Sequence, residues 1–158
     1  LGGGMSSRLF QNIRESRGLA YSVFSFSSSY KDTGIFGIYS ATSSDKVNEY
    51  SEAVAHEILN SEKNITDQEI DKAKKQLKAG LLMSSESPVA RMNQIARQIS
   101  IYDRVIDISE TLDRIDSIKK EHITNFISET FKSRKLTISA LGAISKLSDQ
   151  DAIQKFYR

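Results

Sequence analysis

Two residues near the start of the chain, Arg14 and Tyr21, have side chains that could stabilise negative charge. Arg14 falls in the last turn of a predicted helix, and Tyr21 follows at the start of a predicted strand. A helix end and a strand start at this separation can direct a guanidinium and a phenol toward one point. Hydrogen-bond donors aimed where negative charge develops lower the barrier of a reaction. Two structural alternatives stay open: Arg14 could pair with Glu15, and Tyr21 could simply pack in its strand.

The helix that would carry Arg14 is predicted from about Ser6 to Arg17. A serine at its start can accept a hydrogen bond from a free backbone amide. Gly18 stands where a left-handed residue normally ends a helix. One apolar face has helical spacing and consists of Leu9, Phe10 and Ile13.

The strand that would carry Tyr21 is predicted over Leu19–Ser28, where apolar residues and serines alternate. Lys31–Gly34 has the composition of a turn, and Ile35–Tyr39 has the composition of a second strand. We therefore expect a β-hairpin. A third strand is predicted over Leu136–Leu141.

Helical patterns fill most of the remaining chain. Thr66 and Glu69 have the spacing of a capping box, and Pro88 after Ser87 is typical of the first residue of a helix. The predicted helices run from about Ser43 to Asn60, from Thr66 through Leu81, from Pro88 to Tyr102, from Ile108 to Ile115, from Ile118 to Phe131, and from Ser148 to Phe156.

This order of elements predicts an α+β fold of two layers, with an antiparallel or mixed sheet covered on one face by helices. The chain has 158 residues and shows no linker or internal repeat, so we expect residues 1–158 to form one domain. It starts with Leu1 rather than methionine, and we expect it to be a fragment of a longer protein.

The stretch from Gly2 to Ser22 carries a family resemblance. It reads Gly-Gly-Gly-Met-Ser-Ser-Arg-Leu-Phe-Gln-x-Ile-Arg-Glu-x-Arg-Gly-Leu-Ala-Tyr-Ser, and it closely resembles the C-terminal half of the pitrilysin/insulinase zinc peptidases. Within this family, peptidase family M16, the mitochondrial processing peptidase-like branch is the most similar. Weaker similarity continues through Gly34–Ser40, Ile65–Ile70 and Ser85–Pro88.

The resemblance implies a fold, an activity and roles for two residues. The fold would be that of a processing peptidase-like metallohydrolase. The chain would be the C-terminal, non-zinc-binding domain of a two-domain zinc endopeptidase, and it would form half of an enclosed substrate chamber. Arg14 would bind a substrate carbonyl, and the Tyr21 hydroxyl would stabilise the oxyanion. The domain would be inactive alone, and zinc would belong to the N-terminal half.

The residues available for a metal agree with that expectation. A zinc peptidase of this kind needs a His-x-x-Glu-His motif and a third ligand. The two histidines are His56 and His122, and Ile118 stands where the first histidine of such a motif would be. We therefore predict no metal or other cofactor site in this chain. The partners implied are the N-terminal zinc-binding domain, peptide substrates, and a second subunit in a homodimer or heterodimer.

Composition excludes other classes of partner. The formal charge of +2, from 22 basic and 20 acidic residues, is too balanced for a nucleic-acid surface. No apolar run has the roughly 20 residues of a membrane span. We expect a soluble protein of the bacterial cytoplasm or the mitochondrial matrix, the compartments implied by the resemblance. The alternative function is that of a noncatalytic structural or partner subunit of the same family.

Overall fold

A computed structural model describes every residue from Leu1 to Arg158. The chain divides into two compact units. The first unit comprises residues 1–28, 34–64 and 124–158, and the second comprises residues 29–33 and 65–123. The six α-helices are α1 Val47–Asn64, α2 Asp67–Ser85, α3 Pro88–Tyr102, α4 Ile108–Asp116, α5 Lys120–Ile127 and α6 Gln150–Gln154.

The sheet is a single antiparallel hairpin of β1 (Ser22–Ser29) and β2 (Gly34–Ala41). The Phe26 ring lies over Gly37, where an added Cβ would overlap the ring. One pair further along, the Phe24 and Tyr39 rings are 5.1 Å apart. The hairpin and the surrounding helices confirm the predicted α+β class.

Helices cover one face of this hairpin within the first unit. Phe36 of β2 makes edge-to-face contacts with Phe126 and Phe131, with ring centroids 5.6 and 5.5 Å apart. Phe131 in turn stacks on Tyr157 near the end of the chain. Aromatic contacts of this geometry add to the stabilisation from burial of the rings. They join the strand, the helices and the C-terminus into one core.

The second unit contains α2, α3 and α4, and both α3 and α4 pack against α2. The predicted capping box is confirmed, because the Glu69 amide donates to the Thr66 hydroxyl and the Glu69 carboxylate accepts from the Thr66 amide. The Ala90 amide donates to the Ser87 hydroxyl immediately before Pro88, as predicted for the start of α3. None of the helices in the chain is long and apolar enough to cross a membrane.

The structure corrects two predictions. The helix predicted over Ser6–Arg17 is mostly a π-helix, Phe10–Ser16, which we call the first π-helix. The strand predicted over Leu136–Leu141 does not join the sheet. At the start of this stretch, side chains of α6 bond to the backbone instead of a neighbouring strand. Gln154 accepts from the Leu136 amide, and Gln150 donates to the Leu136 carbonyl.

Candidate active-site surface

The first π-helix is anchored by its apolar residues. Leu9 and Ile13 have no exposed surface, and α1 packs against this helix. Gly18 closes the helix at a φ of 58°, a conformation in which residues other than glycine are strained. The Gly18 amide donates to the Arg14 carbonyl, and the Leu19 amide donates to the Ile13 carbonyl. The helix end that carries Arg14 is therefore fixed by packing and by hydrogen bonds.

The connection from Gly18 to the sheet is held by two side chains. Lys46 donates from Nζ to the Gly18 carbonyl at 3.0 Å, and Thr42 donates from Oγ1 to the Leu19 carbonyl at 2.6 Å. The Tyr21 amide donates to the Ala41 carbonyl at 2.8 Å. The backbone on both sides of Tyr21 thus has defined partners.

Tyr21 directs its ring into solvent rather than into the core. The residue is 81% exposed, although Ala20 before it and Val23 after it are buried. The phenolic hydroxyl makes no hydrogen bond within the chain. The ring of Tyr21 is therefore not packed in the core of the first unit.

The guanidinium of Arg14 lies close to two aromatic rings. Its guanidinium carbon is 4.7 Å from the centroid of the Phe10 ring and 5.8 Å from the centroid of the Tyr21 ring. Both distances are within the range of cation–π attraction. Nε of Arg14 is also 3.7 Å from Oε1 of Glu15, so the ion pair considered as an alternative is present beside the stacked arrangement. Exposed pairs of this kind contribute little stability.

The arrangement brings two kinds of hydrogen-bond donor together on one surface, with the Arg14 guanidinium carbon 5.8 Å from the centroid of the Tyr21 ring. A guanidinium has five N–H groups in a fixed plane, and a phenol has one O–H. A shallow cavity of about 440 Å³ adjoins this point; its lining includes Tyr21, Thr42 and Lys46. Chemically, the surface can accept a group that carries or develops negative charge, such as a peptide carbonyl oxygen.

A family assignment follows from the first half of the chain. Residues 1–77 match the family model described as "Peptidase M16 inactive domain". The chain belongs to the M16 peptidase family.

Curated M16 relatives extend this assignment over most of the chain. It is 38% identical over 140 residues to an uncharacterized zinc protease of Rickettsia felis, which corresponds to 89% of this chain and 34% of that protein. It is 33% identical over 132 residues to the uncharacterized zinc protease YmxG of Bacillus subtilis, with coverage of 83% and 32%. It is 31% identical over 159 residues to the probable mitochondrial-processing peptidase subunit beta of Arabidopsis thaliana, with coverage of 98% and 29%. The chain spans about a third of the length of these relatives.

Solved structures share the M16 fold. A chain in the complex III2 structure from Candida albicans with Inz-5 bound superposes with a TM-score of 0.84 at 22% identity, covering 97% of this chain and 39% of that one. A conserved protein from Enterococcus faecalis V583 gives a TM-score of 0.69 at 22% identity, with coverage of 80% and 30%. At these identities the likeness concerns the fold alone.

The residues of this M16 chain do not fit a zinc ion. No group of three or more histidine, cysteine, aspartate or glutamate residues is placed to hold a metal. Nδ1 of His122 accepts from the Lys119 amide at 3.1 Å, near the start of α5. His56 is well exposed, and its Nδ1 is 3.7 Å from Oε1 of Glu57. Each imidazole therefore stands without a second histidine.

Two features of this M16 surface were not foreseen from the sequence. Phe10 was predicted only as part of an apolar face, yet its ring lies under the Arg14 guanidinium. The four-residue spacing of Phe10 and Arg14 could have indicated this contact, because residues at that spacing are neighbours on a helix surface. Asn12 donates from Nδ2 to Oε2 of Glu57 at 2.8 Å and so joins the first π-helix to α1. These partners are 45 residues apart, and no local pattern indicates their contact.

Proposed function

We propose that residues 1–158 are the C-terminal, non-zinc-binding domain of a zinc-dependent processing endopeptidase. This domain forms one half of an enclosed substrate chamber, and a separate N-terminal domain holds the zinc ion and forms the other half. The complete protein hydrolyses internal bonds of extended peptides. Support comes from the "inactive domain" model that residues 1–77 match, and from relatives about three times as long that are named zinc proteases.

Arg14 and Tyr21 act on the substrate in this proposal. The guanidinium of Arg14 binds a substrate carbonyl, and the Tyr21 hydroxyl donates to the oxyanion that forms when the scissile carbonyl is attacked. The observation that carries the proposal is their shared position: the guanidinium lies 5.8 Å from the Tyr21 ring, and the tyrosine is 81% exposed with its hydroxyl unpaired.

The packing beneath this pair supports a preorganised site. Donors that are already directed at the developing charge need no reorganisation during the reaction, which is the main source of their effect. Leu9 and Ile13 are fully buried under the helix that carries Arg14, and the Tyr21 backbone is bonded to Ala41. Only the ends of the two side chains have to adjust when a substrate binds.

The decisive experiment replaces Tyr21 by phenylalanine in the full-length protein. We expect kcat to fall by about 100-fold, with a small change in KM, because the hydroxyl acts mainly in the transition state. Tyr30→Phe is the matched control, since Tyr30 is also an exposed tyrosine near the hairpin, and it should keep the wild-type rate. Equal rates for wild type and Tyr21→Phe would exclude the proposed role of the hydroxyl.

A second variant, Arg14→Lys, tests the guanidinium. Lysine keeps the charge but loses the planar set of donors, so it is a poor substitute at a site that binds a carbonyl beside an aromatic ring. We expect KM to rise and kcat/KM to fall by about tenfold or more. Arg114→Lys is the control, because Arg114 is an exposed arginine that pairs with Glu110 on α4.

Separate production of the two halves tests whether the zinc site belongs to the N-terminal half alone. The present chain should bind no stoichiometric zinc and cleave no peptide, and addition of the separately made N-terminal half should give both zinc binding and cleavage. Stoichiometric zinc in the present chain would contradict the proposal. A full-length protein that neither binds zinc nor cleaves peptides would instead fit the noncatalytic subunit.

A further inference from the structure

The contact between Asn12 and Glu57 is an unusual polar feature within the first unit. Nδ2 of Asn12 donates to Oε2 of Glu57 at 2.8 Å. Glu57 lies on α1 and is only 8% exposed, whereas glutamates are almost never buried without a partner. Its other close polar side chain is the exposed imidazole of His56, at 3.7 Å. The amide of Asn12 is therefore the one short side-chain hydrogen bond of a buried carboxylate.

The position of Asn12 makes this bond sensitive to rotation of the helix. Asn12 precedes the buried Ile13 and lies two residues from Arg14. Apolar contacts such as those of Leu9 and Ile13 keep one side of the helix buried, but they are less directional than a hydrogen bond and tolerate small rotations of the helix about its axis. A hydrogen bond needs a defined distance and angle. It can therefore select one rotation of the first π-helix.

The π-helical form increases the need for such a bond. Its hydrogen bonds run from residue i to residue i+5, which is rare and occurs mostly in short segments at functional sites. The first π-helix is seven residues long and has no side-chain cap at Leu9. Backbone bonds such as that from the Gly18 amide to the Arg14 carbonyl fix the end of this helix, and the bond between Asn12 and Glu57 ties the helix to α1.

From these observations we propose that Asn12 and Glu57 are positioning residues for the proposed active site: their part-buried hydrogen bond sets the rotation of the first π-helix and thereby holds the Arg14 guanidinium close to the Phe10 and Tyr21 rings. This inference rests on the proposed function, because it assigns the catalytic consequence to Arg14. Asn12 and Glu57 themselves do not contact the substrate.

The test exchanges the two polar groups in the full-length protein. Asn12→Asp places a second carboxylate against Glu57, which repels it and rotates the helix. Misplacement of a catalytic group by about 1 Å can cost about 100-fold in rate, and we expect a loss of kcat/KM of about 10-fold to 100-fold. The double variant Asn12→Asp/Glu57→Gln restores the bond in reverse, because the side-chain amide introduced on α1 can donate to the carboxylate introduced on the first π-helix. It should return kcat/KM to within about threefold of wild type.

A matched control separates positioning from general stability. Glu62 lies on the same helix as Glu57 and pairs with Lys132, outside the first π-helix. Glu62→Gln should lower the melting temperature without lowering kcat/KM. In an Arg14→Lys background, Asn12→Asp should add little further loss, because the group it displaces has already been replaced. Full additivity of the two losses would overturn the positioning role.

The position of the Arg14 side chain can be measured independently of catalysis. The Nε–Hε NMR signal of Arg14, assigned in arginine-labelled protein by its loss in Arg14→Lys, reports the ring currents of the Phe10 and Tyr21 rings. It should shift in Asn12→Asp and return in the double variant. If Arg14→Lys leaves the rate unchanged, the role proposed for Arg14 in catalysis fails, and this signal alone decides whether Asn12 and Glu57 position the Arg14 side chain. An unshifted signal in Asn12→Asp would refute it.

Discussion

The two units of the chain stabilise themselves in different ways. The first unit contains most of the buried apolar side chains, including Leu9, Ile13 and Ile58, which have no exposed surface. In the second unit only Ile70 and Ile106 are buried apolar residues. Many large apolar side chains of this unit are at least half exposed or nearly so: Leu77, Leu82, Met83, Val89, Met92, Ile99, Tyr102 and Val105.

Polar interactions take a larger share in the second unit. Arg104 and Arg114 both bind the carboxylate of Glu110, and these contacts lower the pKa of Glu110. Lys78 pairs with Asp116 between α2 and α4. Exposed ion pairs stabilise a fold far less than a buried apolar side chain does. The unit with Arg14 and Tyr21 is therefore the one whose packing can hold a site rigidly.

Removal of a core side chain gives the largest expected effect. Ile13→Ala should lower the free energy of unfolding by about 2–5 kcal/mol, because it leaves a cavity under the first π-helix. Leu77→Ala, the matched change on α2, should alter it by only about 0.5 kcal/mol, because Leu77 is more than half exposed. Urea unfolding measures both values, and hydrogen exchange assigns each loss to its unit. Similar losses for the two variants would remove the contrast between the units.

An added methyl group should change the stability with opposite sign in the two units. In Gly2→Ala the new Cβ would overlap the Ser25 amide nitrogen, a backbone atom that cannot move aside, and we expect a loss of about 1–3 kcal/mol. In Gly80→Ala the new Cβ meets nothing within 4 Å, and the better helix propensity of alanine should stabilise α2 by about 1 kcal/mol. Melting temperatures give both signs. A stabilised Gly2→Ala variant would show that the first unit is less closely packed than described.

High pH should weaken the first unit. Burial, and to a lesser extent the neighbouring Tyr50, raises the pKa of Tyr157 above its ordinary value of 10.0. The folded state therefore keeps a proton that the unfolded state loses, so the contribution of Tyr157 is complete below pH 10 and is lost as the pH rises from 10 through the folded pKa. The loss is about 1.4 kcal/mol per pH unit.

The measurement for this effect is the urea midpoint at several pH values above about 9, just below the ordinary tyrosine pKa. Tyr157→Phe should reduce the slope of stability against pH, although it leaves the stacked ring in place. Tyr102→Phe is the control in the second unit, because Tyr102 is half exposed. An unchanged slope in Tyr157→Phe would contradict the assignment of the effect to this buried phenol.

Local patterns predicted much of the fold. The bounds of the two hairpin strands differed by only a few residues, and the start signals at Thr66 and Ser87 were correct because a cap is made by residues close in sequence. The offset between Arg14 and Tyr21 also indicated that a helix end and a strand start could bring the two side chains together. The structure places the guanidinium over the Tyr21 ring.

Features that depend on distant partners were not predictable. Residue order does not distinguish an α-helix from the first π-helix, since both bury Leu9 and Ile13 on one side. The bond between Asn12 and Glu57 joins residues from separate elements. Leu136–Leu141 has the composition of a strand. That composition shows only that its side chains fit a pleated, half-buried surface, and it does not show that another strand is available to pair with the backbone.

The position of Leu136–Leu141 outside the sheet affects how this chain behaves in solution. Leu141 is completely exposed, and Ile138 and Ile144 are partly so. An apolar, uncharged segment of strand-like composition that lies outside the sheet is a site where a strand from a neighbouring molecule can add. Concentrated samples should therefore form intermolecular β-structure through residues 136–141. Ile138→Lys should suppress this association.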